Sequence, residues 1–270
     1  LLSLYHELAP THISVSFDRA APTFRKKLFK EYQIKRPKMD DDLVSQIPKV
    51  HEMVEALGIP IFEKDGFEAD DVIGTLVKHT KMEVIFVTGD RDILQLVEDD
   101  RVMVYMPTKG LSEAKLYHEQ DVIERLGVSP DHVTDYKGFA GDASDNYPGV
   151  EGIGPKTAVS LIETFETVEN VYNALKKKDS RLSKFSSSVI EKLKTGEESA
   201  RMSKNLATIR TDVSLDRDIK RSKITSLDTL EAREILEKFH FHSLLKRLHG
   251  GSMLTKKKEK DKDSEQLSLV

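Results

Sequence analysis

Four groups of acidic residues recur along the chain and have the composition of a divalent-metal site. Their members are Asp18, Glu68, Asp70, Asp71, Asp90, Asp92, Asp142 and Asp145. Each group alone also fits a structural role, because carboxylates are common at helix N-termini and in polar turns. If all of them met at one site, they would repel one another strongly unless cations were bound between them. Oxygen ligands without cysteine or histidine favour Mg²⁺ or Mn²⁺ over zinc, so we interpret the combined pattern as a metal site.

The segment from Gly152 to Thr157 has the pattern of a phosphate-binding helix start. Gly152 and Gly154 are followed by Pro155, a residue that favours the first helical position. Free backbone N–H groups at a helix N-terminus bind anions, and Lys156 adds a positive charge in the first turn. An ordinary turn before a helix is the alternative. We favour binding of a nucleic-acid phosphate.

The stretch between Arg25 and Lys38 is strongly basic, with seven lysines and arginines and only one acidic residue. Aromatic residues are interleaved with these cations. Such a surface suits single-stranded nucleic acid, which binds through backbone charge and base stacking. A solvated helix face is the alternative. The candidate contacts are Arg25, Lys27, Tyr32, Lys35 and Arg36.

The elements that must position these residues alternate between strand and helix in the first part of the chain. Predicted strands cover residues 12–18, 59–62, 83–88 and 102–105, and predicted helices cover residues 43–57 and 68–81. This alternation is typical of a parallel α/β sheet. Asp18 and Asp90 then lie at the C-terminal ends of strands, the edge at which such sheets bind ligands.

From about residue 121 onward the pattern predicts only helices. They cover residues 121–126, 132–139, 155–165, 168–177, 189–206 and 227–248. The remainder is polar and lysine-rich. We therefore expect an α/β domain over 1–120, a helical domain over 121–250 and a disordered charged tail or linker over 251–270.

Composition excludes several functional classes. The chain of 270 residues contains no cysteine, which excludes disulfide scaffolds, thiolate metal sites and cysteine catalysis. The sequence has neither an apolar run long enough to cross a bilayer nor an export signal, so we expect a cytoplasmic protein.

In combination, these motifs resemble the 5′→3′ exonuclease domain of bacterial DNA polymerase I, in the flap-endonuclease (PIN-like 5′ nuclease) superfamily. The resemblance extends from about residue 1 to residue 248. It rests on the blocks SFDRAAPTFRKK, YQIKRP, DGFEADDVIGTL, FVTGDRDILQL, DYKGFAGDASDNYPGVEGIGPKTA and FHFHSLLKRL.

The resemblance implies a PIN-like parallel-sheet domain with a helical arch at about 24–43, followed by an all-α helix–hairpin–helix (H3TH) domain. It implies two divalent ions, Mg²⁺ or Mn²⁺, held by the eight acidic residues, and hydrolysis of DNA phosphodiesters that leaves a 5′-phosphate. The implied catalytic residues are Asp18, Asp70, Asp71, Asp90 and Asp92. The implied DNA contacts of the hairpin are Gly152, Ile153, Gly154, Lys156 and Thr157, with a K⁺ ion on backbone carbonyls. The implied partners are DNA with 5′ flaps, nicks or 5′ ends, and RNA primer strands. The protein is expected to be a monomer, and the resemblance implies that a polymerase domain is fused to it.

The sequence departs from the family pattern at two places. Gln33 stands where the family arch has a lysine, and the nearest lysine is displaced to Lys35. The family also opens with a strand carrying a metal-binding aspartate, ahead of the segment that LLSLYHEL matches. We therefore expect a chain truncated at its N-terminus, with weakened or no activity by itself.

Two other functions fit part of the pattern. A phosphohydrolase of the haloacid-dehalogenase type would explain VIFVTGDRD and GDASD, but not the acidic EADD group, the hairpin glycines or the basic segment. A DNA-junction binder without catalysis would bind flaps in a salt-sensitive manner and would not cut them.

Overall fold

The computed structural model describes residues 1–109, 113–216 and 218–248, and the tail predicted at 251–270 lies outside them. The strands are β1 (Val15–Ser16), β2 (Ile61–Phe62), β3 (Val84–Val87), β4 (Val102–Lys109) and β5 (Glu113–Tyr117). The first helices are α1 (Leu2–Leu8), α2 (Phe24–Leu28), α3 (Asp41–Val44), α4 (Ile47–Ala56), α5 (Ala69–Lys78), α6 (Glu119–Leu126) and α7 (Val133–Ala140). The others are α8 (Pro155–Phe165), α9 (Val168–Lys177), α10 (Ser187–Thr195), α11 (Glu197–Ala207), α12 (Leu230–Lys238) and α13 (His242–Leu248). Short 3₁₀ helices cover Asp92–Leu96, Pro130–His132, Ser180–Lys184 and Ile219–Ser222.

The chain divides into two compact units. The larger unit consists of Ser16–Lys38 and Glu63–Arg217, and the smaller of Leu1–Val15, Met39–Phe62 and the described residues from Asp218 onward. The division does not follow the boundary predicted near residue 120. The reason is that the sheet and helices α7 to α11 contribute side chains to one hydrophobic core in the larger unit.

The larger unit contains the sheet β3-β4-β5. Strand β3 runs parallel to β4, with Val84 opposite Val102, as the alternating pattern predicts. Strand β5 runs antiparallel to β4 and was not predicted. Strand β4 also extends past the predicted range 102–105, through residues 106–109. Proline is tolerated there because Pro107 lies beyond the part of β4 that pairs with β3, next to an irregularity in register.

The helices of the larger unit confirm the expected all-α second part, with one break. The helix predicted at 189–206 is two helices that meet at Gly196. A Cβ atom on Gly196 would lie 2.6 Å from a methyl carbon of Val150, so glycine permits this close approach. Phe139, Leu161 and Leu193 are fully buried in the core that these helices share with the sheet.

The smaller unit is helical apart from strand β2 and Val15 of β1. Helix α12 packs on α4, and the Thr229 hydroxyl donates to the carbonyl of Ala56 at 2.8 Å. The helix predicted at 227–248 ends at α12 and restarts as α13, because His240 between them has a left-handed backbone (φ 57°). Among the described residues, no helix is long and apolar enough to cross a membrane.

Candidate functional site

A cavity of about 510 Å³ in the larger unit collects most of the predicted metal ligands. Six of the eight line it: Asp18, Glu68, Asp70, Asp90, Asp92 and Asp145. Asp71 and Asp142 are not among the lining residues. Arg36, Lys26 and Thr88 also line the cavity, so its wall is mainly polar. The structure thus brings together residues up to 127 positions apart in sequence (145 − 18).

Helix α5 and the turn after β3 hold the central carboxylates in place. Asp18 accepts a 2.7 Å hydrogen bond from the backbone N–H of Ala69, which fixes it at the N-terminus of α5. Glu68 is the N-cap of that helix. After β3, the Asp90 carboxylate accepts from the N–H of Asp92 at 2.9 Å and so starts the 3₁₀ helix. A capping position and a strand end, both visible in the sequence, therefore define this site.

Negative charge accumulates in the cavity without full compensation. Burial, together with the charges of Asp90, Asp92 and Asp18, raises the pKa of Asp70 to about 8. Burial and neighbouring carboxylates outweigh the effect of Arg25 and raise the pKa of Glu68 to about 7. A carboxylate that is pushed toward its neutral form by other carboxylates is in an environment that a cation would stabilise.

Lys137, for which the sequence pattern predicts no role, compensates one side of this charge. Its ammonium donates to Asp92 and, at 2.8 Å, to Asp142. Burial opposes ionisation of Asp142, but the ammonium lowers its pKa to about 2. Burial and Asp90 still raise the pKa of Asp92 to about 6, against the opposite effect of Lys137. A lysine five positions before an aspartate was the available signal in the sequence.

Asp71 takes a structural position, and its predicted metal role is revised. The side chain is fully buried and outside the cavity. It accepts two hydrogen bonds from the guanidinium of Arg25, at 2.7 and 2.9 Å, and one each from the backbone N–H groups of Glu68 and Arg210. Four donors occupy the four lone-pair directions of a carboxylate, so none is left for a metal ion.

Arg25 was predicted to contact DNA, but in the structure it is buried and bonds to other parts of the protein. It borders the cavity but is 3% exposed. Besides Asp71, it donates to the carbonyls of Leu206 and Thr208 at 2.7 and 3.0 Å and pairs with Glu68 at 3.3 Å. Four of its five N–H groups therefore donate hydrogen bonds within the protein.

Tyr32 also packs inside the protein and not on a base. It is 3% exposed and stacks on Tyr147, with ring centroids 6.5 Å apart. Its hydroxyl lies 3.0 Å from a carboxylate oxygen of Asp145 and 3.3 Å from one of Glu68. Arg36 pairs with Asp145 at 2.6 Å, and half of its side chain remains exposed. Of the predicted arch contacts, Arg36 is therefore the one that reaches the cavity while keeping solvent access.

Gln33, which stands where the family pattern has a lysine, contacts Asp145 in the structure. Its side-chain amide donates to Asp145 at 3.3 Å, and its backbone N–H donates to the Asp145 carbonyl at 2.8 Å. The backbone of Gln33 is left-handed (φ 55°), an arrangement that costs energy for a residue with a side chain. Lys27 and Lys35 are exposed and do not line the cavity. The lysine of this segment that lines the cavity is Lys26, which is not among the predicted DNA contacts.

The glycine turn forms an exposed helix start, as predicted. Gly154 is the N-cap of α8 and Pro155 its first residue, while Gly152 has the left-handed backbone (φ 74°) that favours glycine. Lys156 is exposed beside this helix start. Ile153 is 4% exposed and packs into the core, so only its backbone is available to DNA.

The carbonyl of Gly152 accepts a 3.1 Å hydrogen bond from the ammonium of Lys192. An ammonium therefore already occupies one carbonyl of the turn at which a K⁺ ion was expected.

The carboxylate oxygens of the cavity are suitable ligands for divalent cations, although the side chains do not surround a cation in their present positions. Within the described ranges, no three acidic or histidine side chains are arranged to hold a metal ion as they stand. The acids that line the cavity offer only oxygen ligands, and Asp70 is in an environment of unbalanced negative charge. The hydroxyl of Tyr147 is buried without a hydrogen-bond partner among the described residues, and Asp92, Asp142 and Asp145 raise its pKa in addition to burial. A bound cation would balance the negative charge that the cavity carboxylates accumulate.

Comparison with known proteins assigns both parts of the chain. The family model described as "5′-3′ exonuclease, N-terminal resolvase-like domain" matches residues 1–127, and that described as "5′-3′ exonuclease, C-terminal SAM fold" matches residues 128–230. A 5′-3′ exonuclease of Mycoplasma pneumoniae is 37% identical over 234 residues, which cover 85% of this chain and 78% of the relative.

DNA polymerase I of Caldicellulosiruptor bescii is 39% identical over 252 residues, 92% of this chain. The chain spans 29% of the length of that relative. Among solved structures, the bacteriophage T5 flap endonuclease, in a pseudo-enzyme-product complex with DNA and metal ions, has a TM-score of 0.64 and 23% identity over 87% of this chain and 86% of its own. This likeness shows that the fold is shared.

Proposed function

This chain belongs to the 5′-3′ exonuclease family, and from that we propose that its larger unit hydrolyses DNA phosphodiesters with the help of divalent metal ions. The observation that carries the proposal is the cavity lined by six carboxylates, of which Asp18, Asp70 and Asp90 form no ion pair with any described residue. The proposed substrates are the 5′ ends, nicks and 5′ flaps of DNA, including RNA primer strands, and the proposed product carries a 5′-phosphate.

The carboxylates of the cavity would hold the metal ions. Asp18, Asp70 and Asp90 would bind the first ion, with Glu68 at the helix start beside them. Asp92 and Asp145 would bind a second ion, together with Asp142, which lies outside the cavity lining but shares Lys137 with Asp92. Bound Mg²⁺ or Mn²⁺ would supply a nucleophilic water near neutral pH and stabilise charge on the attacking and leaving oxygens. Arg36, half-exposed at the cavity, would attract a backbone phosphate toward these residues.

The remaining contacts would hold DNA without reading its sequence. The helix start at Gly154 and Lys156 offers backbone N–H groups and positive charge to a phosphate of the duplex. Lys27 and Lys35, which are exposed, would follow the backbone of a single strand. K⁺ at the hairpin would have to share the Gly152 carbonyl with Lys192 or displace it.

The wider setting follows from the relatives. We infer that the complete protein continues into a polymerase domain, because the chain matches 29% of a DNA polymerase I. It would act as a cytoplasmic monomer in replication and repair. The functional boundary between the nuclease and hairpin domains would lie near residue 120, close to the junction of the two family matches at 127 and 128.

A second function is favoured by one observation. No described group of three acids is arranged to hold a metal ion as placed, which suits a flap-binding protein without catalysis. Such a protein would bind DNA flaps equally well in EDTA and in Mg²⁺ and would not cut them under either condition.

Cleavage of a 5′-labelled flap DNA tests the proposal. The chain should cut near the junction in Mg²⁺, even if only weakly, and not in EDTA. Asp90→Asn should lower the rate by about a thousandfold or more because a metal ligand is lost. Asp131→Asn, which changes an exposed aspartate outside the cavity in the same way, should cut like the wild type. Binding without cutting by the wild-type chain would favour the second function. Cutting that survives Asp90→Asn would contradict the site.

A further inference from the structure

Basic side chains divide the carboxylates of the site into two groups. Asp92, Asp142 and Asp145 each pair with a basic side chain, the first two with Lys137 and the third with Arg36. Asp18, Asp70 and Asp90 make no direct ion pair with a lysine or arginine in the described part of the chain, and Arg36 attracts Asp90 only from beyond contact distance. The two groups therefore offer very different environments to an incoming cation.

Lys137 is held in place by its surroundings. It lies on α7 and is 8% exposed, so its ammonium has almost no access to water. The chain reverses at Gly141 (φ 69°), which brings Asp142 back against the lysine of the preceding helix. Asp142 and Tyr147 exchange two backbone hydrogen bonds, of 2.9 and 3.1 Å, that fix this turn.

The charge of Lys137 is maintained despite its burial. The carboxylates of Asp92 and Asp142, both in direct contact with the ammonium, stabilise its positive charge. A buried ammonium in contact with two carboxylates balances part of their charge in the way that a metal ion would. A divalent ion placed on the same two carboxylates would be close to this positive charge, and like charges at such distances repel strongly where water is scarce.

We propose that Lys137 is a built-in counterion that makes metal loading sequential. A first divalent ion binds at Asp18, Asp70 and Asp90, and a second ion reaches Asp92 and Asp142 only by displacing the ammonium of Lys137. Lys137 is thus a positioning residue that sets the affinity of the second site. The inference rests on the proposed metal-dependent function and adds to it the order of loading and the residue that controls it.

The chain contains a matched control for this lysine. Lys204 bridges Asp135 and Glu169, with both contacts at 2.7 Å, and does not line the cavity. It makes the same kind of ion-pair bridge outside the proposed metal site. Lys204→Met therefore reproduces the loss of a bridging lysine without changing the charge at Asp92 and Asp142.

Titration of the DNA-free chain with Mn²⁺, followed by calorimetry and by the electron paramagnetic resonance of free Mn²⁺, tests the proposal. The wild type should bind one ion tightly and a second at least about tenfold more weakly, because of repulsion by the ammonium. Lys137→Met should tighten the second site by about tenfold or more and leave the first within about twofold. Lys137→Arg, which keeps the charge, and Lys204→Met should both retain the weak second site. A folded Lys137→Met variant whose second site is unchanged or weaker would overturn the proposal.

A measurement on the wild type covers the case in which Lys137→Met does not fold. Amine-specific labelling of Lys137, read by mass spectrometry, should increase over the same Mn²⁺ concentrations that fill the second site, because the displaced ammonium becomes accessible. Lys204 labelling should stay constant. Labelling of Lys137 that does not respond to Mn²⁺ while two ions bind would contradict displacement. If no Mn²⁺ binds to the wild type at all, the metal-dependent function itself fails, and this inference fails with it.

Discussion

Replacing Arg25 by methionine should destabilise the protein severely and should not remove a DNA contact. Asp71 is fully buried, and Arg25 is the basic side chain that pairs with it, through two hydrogen bonds of 2.7 and 2.9 Å. Breaking a buried ion pair from one side typically costs about 3–5 kcal/mol, because a charge is left buried without its partner. The carbonyls of Leu206 and Thr208 also lose donors, which adds about 1 kcal/mol. We expect a loss of about 4–6 kcal/mol from a total of about 5–15 kcal/mol.

Urea unfolding of the variants measures this effect. Arg25→Lys keeps the charge but cannot form the paired hydrogen bonds, so its loss should lie between those of the wild type and Arg25→Met. Adding Asp71→Asn to Arg25→Met removes the stranded charge. The double variant should therefore lose at least about 2 kcal/mol less than the sum of the two single losses. Lys27→Ala, on the exposed side of the same helix, should change stability by less than about 0.5 kcal/mol.

The salt dependence of DNA binding distinguishes a residue that contacts a DNA phosphate from one that only stabilises the fold. Loss of a lysine that contacts a phosphate should lower the slope of log affinity against log salt by about 0.7–0.9, and we expect this for Lys27→Ala. Arg25→Lys should leave the slope unchanged. The reasoning would be refuted if Arg25→Met unfolded within about 1 kcal/mol of the wild type while the salt slope fell as for a phosphate contact.

Two further predictions concern pH and a glycine turn. The pKa values of Asp70, Glu68 and Asp92 are raised to about 8, 7 and 6, so the folded metal-free protein binds more protons than the unfolded chain between about pH 4 and pH 8. The free energy of unfolding of the metal-free protein should therefore fall by a few kcal/mol as pH rises through that window. Mg²⁺ should raise the melting temperature more at pH 8 than at pH 5. A metal-free melting temperature that rises from pH 5 to pH 8 would contradict this prediction. Gly149→Ala should cost about 2–4 kcal/mol in urea unfolding, because the backbone is left-handed (φ 63°) and the new Cβ atom would lie 2.3 Å from the nitrogen of Gly141. Gly154→Ala, with no atom within 4 Å of its Cβ position, should cost less than about 1 kcal/mol, because alanine is there only a poorer N-cap than glycine. Equal losses at the two glycines would refute the steric explanation.

Local patterns in the sequence were enough for the elements that carry the site. The apolar spacing and the terminal residues predicted helices at 155–165 and 168–177, and α8 and α9 have these bounds. Asp90 was expected just after a strand and Glu68 at a helix start, and both lie there. Periodicity and caps depend on residues within a few positions of one another, so they can be recognised without the fold.

The family was also evident from the sequence, because its motifs combine residue types in a fixed order. The antiparallel strand β5 was not evident from the sequence, because it is stabilised by pairing with β4 and has no strong local strand pattern of its own.

Only the tertiary structure decided where each acidic residue lies and with which basic residue it pairs. Asp70 and Asp71 are neighbours with the same side chain, yet Asp70 lines the cavity and Asp71 is buried against Arg25, 46 positions away. Lys137 was an unremarked helix residue until the fold placed its ammonium against Asp92, 45 positions earlier. The sequence determined the kinds of charge that the site contains. Their pairing depends on distances between residues far apart in the chain, and because Coulomb energies vary with distance and burial, only the folded structure could assign them.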